Sequence, residues 1–195
     1  MEKRARSKTL QMAQLAILLA ILLIMAFTPL GYLKIGPLSV SFLTLPVAIG
    51  AVIMGPKAAI ILGAAFGLTS FYQCLGMDAL GVALMGVSPV KTFIMCFVPR
   101  VLIGLITGYL YQLLKYKNDK VATAVTCLAA PIVNTVCFLG TMVLFFGQTP
   151  VLQQFGTTIW AILSVMGIAN VIPETLVCLL AGTAICLALK KALKL

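Results

Sequence analysis

Residues Pro89 to Gly108 read PVKTFIMCFVPRVLIGLITG, an apolar stretch with one arginine, Arg100, inside it. No residue from Thr92 to Pro99 is charged, and none from Val101 to Leu114, so the segment has the length and polarity of a membrane-spanning helix apart from a single guanidinium. A guanidinium stays protonated at any ordinary pH. Placing one at the bilayer centre costs about 2.5–3.5 kcal/mol on insertion scales, so something must compensate it. Three compensations are open: an ion pair with Glu174, the other acid deep inside an apolar segment; an anionic ligand in a water-accessible cavity; or snorkelling to the outer surface, since Arg100 lies in the first third of its segment. The first two coexist if a ligand exchanges with the internal partner.

The rest of the chain has the same character. Of 195 residues, 62% are hydrophobic and 9% charged, which excludes a soluble globular domain and makes the lipid bilayer the chain's solvent. The net charge of +10 does not point to nucleic acid, because the basic residues sit in short runs flanking apolar segments. The absence of histidine removes the usual general base and the commonest metal ligand, and with them Ser-His-Asp and Cys-His nucleophile pairs. An enzyme is not expected. Six cysteines without CxxC spacing predict neither a disulfide nor a metal site.

The apolar segments predict an all-α membrane domain of six transmembrane helices, at 10–29, 42–54, 58–75, 92–114, 121–146 and 161–189. The N-terminal MEKRARSK precedes an apolar run too long for a signal peptide, so the first helix is retained. The second segment is short for a crossing and contains Pro46, as helices lining a cavity within protein do. Between the first two, Gly31 to Ser41 carries a Gly36-Pro37 turn signal within a loose apolar and polar alternation, and reads as a semi-ordered external loop. Gly55-Pro56-Lys57 makes a tight turn. From Gly76 to Pro89 a longer external loop holds an apolar patch, Ala79 to Met85, that suits a re-entrant or lid segment; Gly147 to Trp160 forms a third, with Trp160 as an interfacial anchor. Lys91-Thr92 lacks the glycines of a phosphate-binding loop.

Small residues recur at helical spacing. Ala59, Gly63 and Gly67 form one stripe and Gly104 and Gly108 another, each permitting close approach of a neighbouring helix; Ala13, Ala16 and Ala20 form a third on the first helix. Six spans place both termini on one side. Eleven basic residues then fall inside (Lys3, Arg4, Arg6, Lys8, Lys57, Lys115, Lys117, Lys120, Lys190, Lys191, Lys194) against two outside, Lys34 and Lys91, so both termini are expected in the cytoplasm.

Counting down at about 1.5 Å per residue puts Arg100 roughly 12 Å deep, with Asn134 and Asn170 near the same level and Glu174 one turn below Asn170. Each amide alone has an ordinary explanation as a hydrogen bond to a neighbouring helix. Together they supply a cation, two amides and a carboxylate to one layer, which suits a small molecule bearing a carboxylate with hydroxyl or amide groups. Tyr72 and Gln73, at the polar outer end of the third segment, complete the candidate substrate contacts.

Two longer patterns, IGAVIMGPKAAIILGAAFGLTSF (Ile49 to Phe71) and FVPRVLIGLITGYLY (Phe97 to Tyr111), together with length and topology, resemble the substrate-binding S components of energy-coupling-factor (ECF) vitamin transporters, pantothenate-type members most closely. The resemblance covers essentially the whole chain. It implies vitamin uptake across the plasma membrane, with pantothenate favoured. It also implies that the Ala13, Ala16 and Ala20 face, with its AxxxA pattern, docks onto a transmembrane coupling subunit. That subunit pairs with two ATPases, so ATP is used by partners and this chain needs no cofactor. Arg100 and Asn134 match pantothenate-site positions. The alternative is a self-contained secondary transporter or channel for a small organic anion, for which inverted repeats and a coupling site of its own would be expected; neither is visible.

Overall fold

The computed structural model describes residues 2–29, 31–35, 38–153 and 171–193. It is a helical bundle with one small hairpin. Helix α1 (Glu2–Phe27) leads into strands β1 (Tyr32–Ile35) and β2 (Leu38–Ser41), then α2 (Thr44–Met54), α3 (Pro56–Gln73), α4 (Ala79–Val87), α5 (Pro89–Leu114), α6 (Asp119–Phe146), the short turn α7 (Pro150–Gln153) and α8 (Val171–Leu193), which contains a π-helical turn at Cys178–Gly182. Four of these segments, Lys8–Phe27, Pro89–Leu114, Asp119–Phe146 and Val171–Leu193, are long and apolar enough to cross a membrane. Asn170 and Trp160, and the expected start of the last span, lie outside the described residues.

Local chemistry sets the boundaries. Pro56 and Pro89 occupy first turns, where the missing N–H costs nothing, so α3 and α5 begin earlier than hydropathy suggests. Asp78 caps α4 by accepting from the Gly81 amide at 2.7 Å, which makes the apolar patch after it a surface-lying helix. Asn118 caps α6 in the same way. Gly55, at φ 86°, turns α2 directly into α3 in a backbone conformation that a side chain would strain. The segment read as a loop is an antiparallel hairpin pairing Tyr32 with Ser41 and Ile35 with Leu38. Its loose alternation around Gly36-Pro37 was already the period of a strand.

Helix α2 has 11 residues, about 16 Å of length, roughly half of a bilayer's hydrocarbon core. It is buried from Pro46 to Val52 and serves as a core helix within protein. Around it Leu22, Leu43, Leu62, Phe66 and Ile103 form the main apolar cluster, while Leu84, Met95, Met142 and Phe146 form a second toward the other end.

The closest pairing is α3 with α5, and the two small-residue stripes face each other there. A Cβ on Gly63 would strike the Arg100 carbonyl, one on Gly67 the Phe97 backbone, one on Gly104 the Ala59 carbonyl and one on Gly108 the Pro56 backbone. The helices therefore touch backbone to backbone, and Arg100 is held at a fixed height on α3.

At the end of the bundle where α5 finishes and α6 begins, Lys190 Nζ donates to both oxygens of Asp119 (2.7 and 2.8 Å) and to Thr123 Oγ1 (2.8 Å). Tyr111 donates its hydroxyl to Asp119 at 2.7 Å, and its ring lies under the Lys190 ammonium at 4.6 Å. This cluster draws the end of α8 onto the bundle and carries the helix beyond Leu189 to Leu193. At the opposite end, Gln73 Nε2 donates to the Ala26 carbonyl at 2.6 Å, joining the ends of α1 and α3.

Candidate functional site

Above the α3–α5 seam the described residues enclose a cavity of about 90 Å³. Its polar wall includes Arg100, Asn134, Glu174, Asp78, Gln73, Tyr32, Ser41, Ser70 and Thr135; Phe138, Leu84 and Met95 contribute apolar surface. Four of the residues singled out from sequence, Arg100, Asn134, Glu174 and Gln73, thus meet in one place. Tyr72 does not line it: consecutive helical residues point about 100° apart, so with Gln73 turned inward Tyr72 faces out and meets Phe27 edge-on at 5.6 Å. Ala13, Ala16 and Ala20 are exposed on the outside of α1, away from the cavity.

Arg100 is 6% exposed, and among the described residues it makes no ion pair and does not reach the surface. Pro99 has no amide hydrogen, so the Met95 carbonyl, four residues earlier, lacks its helical donor. Arg100 Nη1 takes that place at 3.3 Å. The guanidinium also lies 4.2 Å from the centre of the Phe138 ring and 5.3 Å from that of Phe66. A hydrogen bond from a charged donor contributes about 1.5–3 kcal/mol and cation–π contacts about 0.5–2 kcal/mol, which together match the insertion cost. Among the described residues the buried Arg100 Nε has no hydrogen-bond partner.

Glu174, 2% exposed, is engaged elsewhere. Its Oε1 accepts from Thr44 Oγ1 at 2.8 Å and from Asn134 Nδ2 at 3.4 Å. Among the described residues no ion pair joins it to Arg100, and the one salt bridge is Lys190–Asp119. Of the compensations open from sequence, the internal ion pair and snorkelling are therefore set aside. Glu174 holds the Asn134 amide through its nitrogen, and among the described residues the buried Asn134 oxygen has no hydrogen-bond partner. The cavity wall thus holds a permanent cation, an amide and a phenol beside the carboxylates of Glu174 and Asp78. Such a wall has the chemistry to hold an anion carrying hydrogen-bonding groups.

Sequence reasoning missed Thr44, which anchors Glu174, and the hairpin residues Tyr32 and Ser41. A hydroxyl near the start of an otherwise apolar short segment was the available signal for Thr44; the hairpin residues carried none beyond the alternation.

The family model described as "ECF transporter, substrate-specific component" matches residues 10–185. The pantothenic acid transporter PanT of Lactococcus lactis subsp. cremoris (strain MG1363) is 29% identical over 202 residues, spanning 96% of this chain and 97% of that protein.

Proposed function

The chain belongs to the ECF transporter substrate-specific components, membrane proteins of solute uptake, and from that membership we propose that it is the pantothenate-binding subunit of an ATP-driven importer in the plasma membrane. Arg100 receives the substrate carboxylate, using Nε and the fork edge that faces the cavity. Asn134, with Asn170 from outside the described residues, reads the amide and hydroxyl groups. Glu174 orients Asn134 and stands apart from the carboxylate, which it would repel at close range. In this reading six helices make up the membrane domain with both termini cytoplasmic, α2 and α3 counting as two of them and the short α2 lying within protein. The exposed Ala13, Ala16 and Ala20 face docks onto a coupling subunit that carries two ATPases, and this chain holds no cofactor of its own.

The observation that carries the reading is the guanidinium in the cavity wall, which among the described residues has an unpartnered N–H and no acid in an ion pair with it. The likeness to a pantothenic acid transporter over nearly the full length of both chains supports the choice of vitamin. Isothermal titration of the purified protein with pantothenate, and with the analogue whose carboxylate is reduced to an alcohol, tests it. Tight binding of the acid and weak binding of the alcohol is expected. Equal affinities would remove Arg100 from the carboxylate role, and no binding of either would make the substrate a different molecule.

A further inference from the structure

Cys74 and Cys96 lie in the cavity wall with their sulfurs 3.6 Å apart. Cys74 caps the end of α3, where its thiol reaches the Ser70 carbonyl at 3.4 Å; Cys96 is one helical turn before Arg100 on the same face of α5. The substrate contacts proposed above use neither sulfur. Cys74 also supports α4, because Gly81 packs so closely that a Cβ there would come within 2.6 Å of the Cys74 sulfur. The cavity's 90 Å³ holds roughly six to nine waters, well below the ~300 Å³ at the lower end of ligand pockets. The cavity as it stands is smaller than a vitamin-sized molecule needs, whereas a molecule of two heavy atoms fits it.

We propose that Cys74 and Cys96 form a redox-modification site whose oxidant is hydrogen peroxide entering the cavity, and that the resulting disulfide ties the α3–α4 corner to α5 and slows ligand exchange. One sulfur attacks a peroxide oxygen, the O–O bond breaks, and a sulfenic acid and one water form. The second sulfur then attacks the sulfenic sulfur, and its proton leaves with the hydroxyl as a second water. Two thiols are oxidised by two electrons and one peroxide is reduced to two waters. Closing the bond draws the sulfurs from 3.6 Å to about 2.0 Å, which tightens the corner that must open to admit a larger ligand.

The test treats the purified full chain with hydrogen peroxide or with glutathione disulfide, an oxidant too bulky for the cavity, and maps linked peptides by mass spectrometry. Peroxide is expected to give a Cys74–Cys96 linked peptide that dithiothreitol reverses, glutathione disulfide to give little, and Cys74→Ser to trap a sulfenic acid on Cys96 instead. A folded, peroxide-treated chain without the link overturns the proposal, as does equal linkage by the bulky oxidant. The effect on exchange rests on the pantothenate reading: release of radiolabelled pantothenate should slow about ten-fold or more after oxidation and recover on reduction, since closure of the wall sets the rate. Unchanged release refutes the gating role. If the reduced protein binds no pantothenate, the substrate reading fails and the linked peptide alone decides the dithiol.

Discussion

Replacing Arg100 with lysine keeps the positive charge and removes the fork. In the native cavity Nη1 is occupied by the Met95 carbonyl at 3.3 Å, which leaves Nε and the remaining edge for a ligand. A lysine has one nitrogen for both tasks. To meet a carboxylate it must abandon or share the carbonyl that Pro99 leaves open, so one charge-assisted hydrogen bond of about 1.5–3 kcal/mol is lost. The flat contact with Phe138 at 4.2 Å goes with it, about 0.5–1 kcal/mol more. The sum, about 2–4 kcal/mol, corresponds to a ~30- to ~1,000-fold weaker pantothenate affinity in Arg100→Lys. Isothermal titration of both proteins measures it, and the reduced-carboxylate analogue isolates the term: the substitution should weaken pantothenate strongly and the alcohol little. A lysine variant within a few-fold of wild type, or an equal loss for both ligands, would refute the fork argument and leave charge alone as the determinant.

Gly63→Ala pushes a methyl group into the Arg100 carbonyl, which has no flexible side chain to yield, so a loss of about 1–3 kcal/mol and a lower detergent-solution Tm are expected; Gly86→Ala, with nothing within 4 Å of its Cβ, should be neutral or slightly stabilising. At the Lys190 cluster, Asp119→Ala strands a buried ammonium while Lys190→Met removes the charge and keeps the stem, so thermal unfolding should show the aspartate variant as the less stable of the two. Tryptophan at both Ala16 and Ala20 should abolish uptake and co-purification of a coupling subunit while pantothenate titration stays normal; retained uptake would dismiss the docking face.

What the sequence disclosed and what it hid divide along energetic lines. Arg100, Asn134 and Glu174 were visible because a charge or an amide inside an apolar run is costly and therefore informative. That α3 and α5 each admit a close neighbour was visible because glycines at steps of four leave a groove; that they admit each other appears only in the structure, where Gly63, Gly67, Gly104 and Gly108 all meet backbone. Thr44 passed unnoticed because a threonine costs little in an apolar segment, although its hydroxyl holds the Glu174 carboxylate. Which atom compensates Arg100 was also hidden. Counting depth left an acid on another helix, a ligand or the surface open, whereas the observed hydrogen-bond partner is a carbonyl on its own helix, exposed by the adjacent proline. The dithiol was out of reach for a third reason: Cys74 and Cys96 are 22 residues apart and become neighbours only when α3 and α5 pack.

The carbonyl that Pro99 frees for Arg100 makes the two residues a portable unit. A cation buried in a hydrophobic helix ordinarily needs a second helix to supply the counter-group, and the two must then be placed in register. Here the backbone of the same turn supplies it, so the positive charge is tethered without being neutralised. Moving Arg100 along α5 without its proline would deprive it of a carbonyl, and keeping the proline without the arginine would leave a carbonyl bare. A Pro-Arg pair grafted into an unrelated apolar helix, with an aromatic ring on the facing helix, is accordingly a design for installing an anion receptor inside a bilayer without adding an acid to balance it.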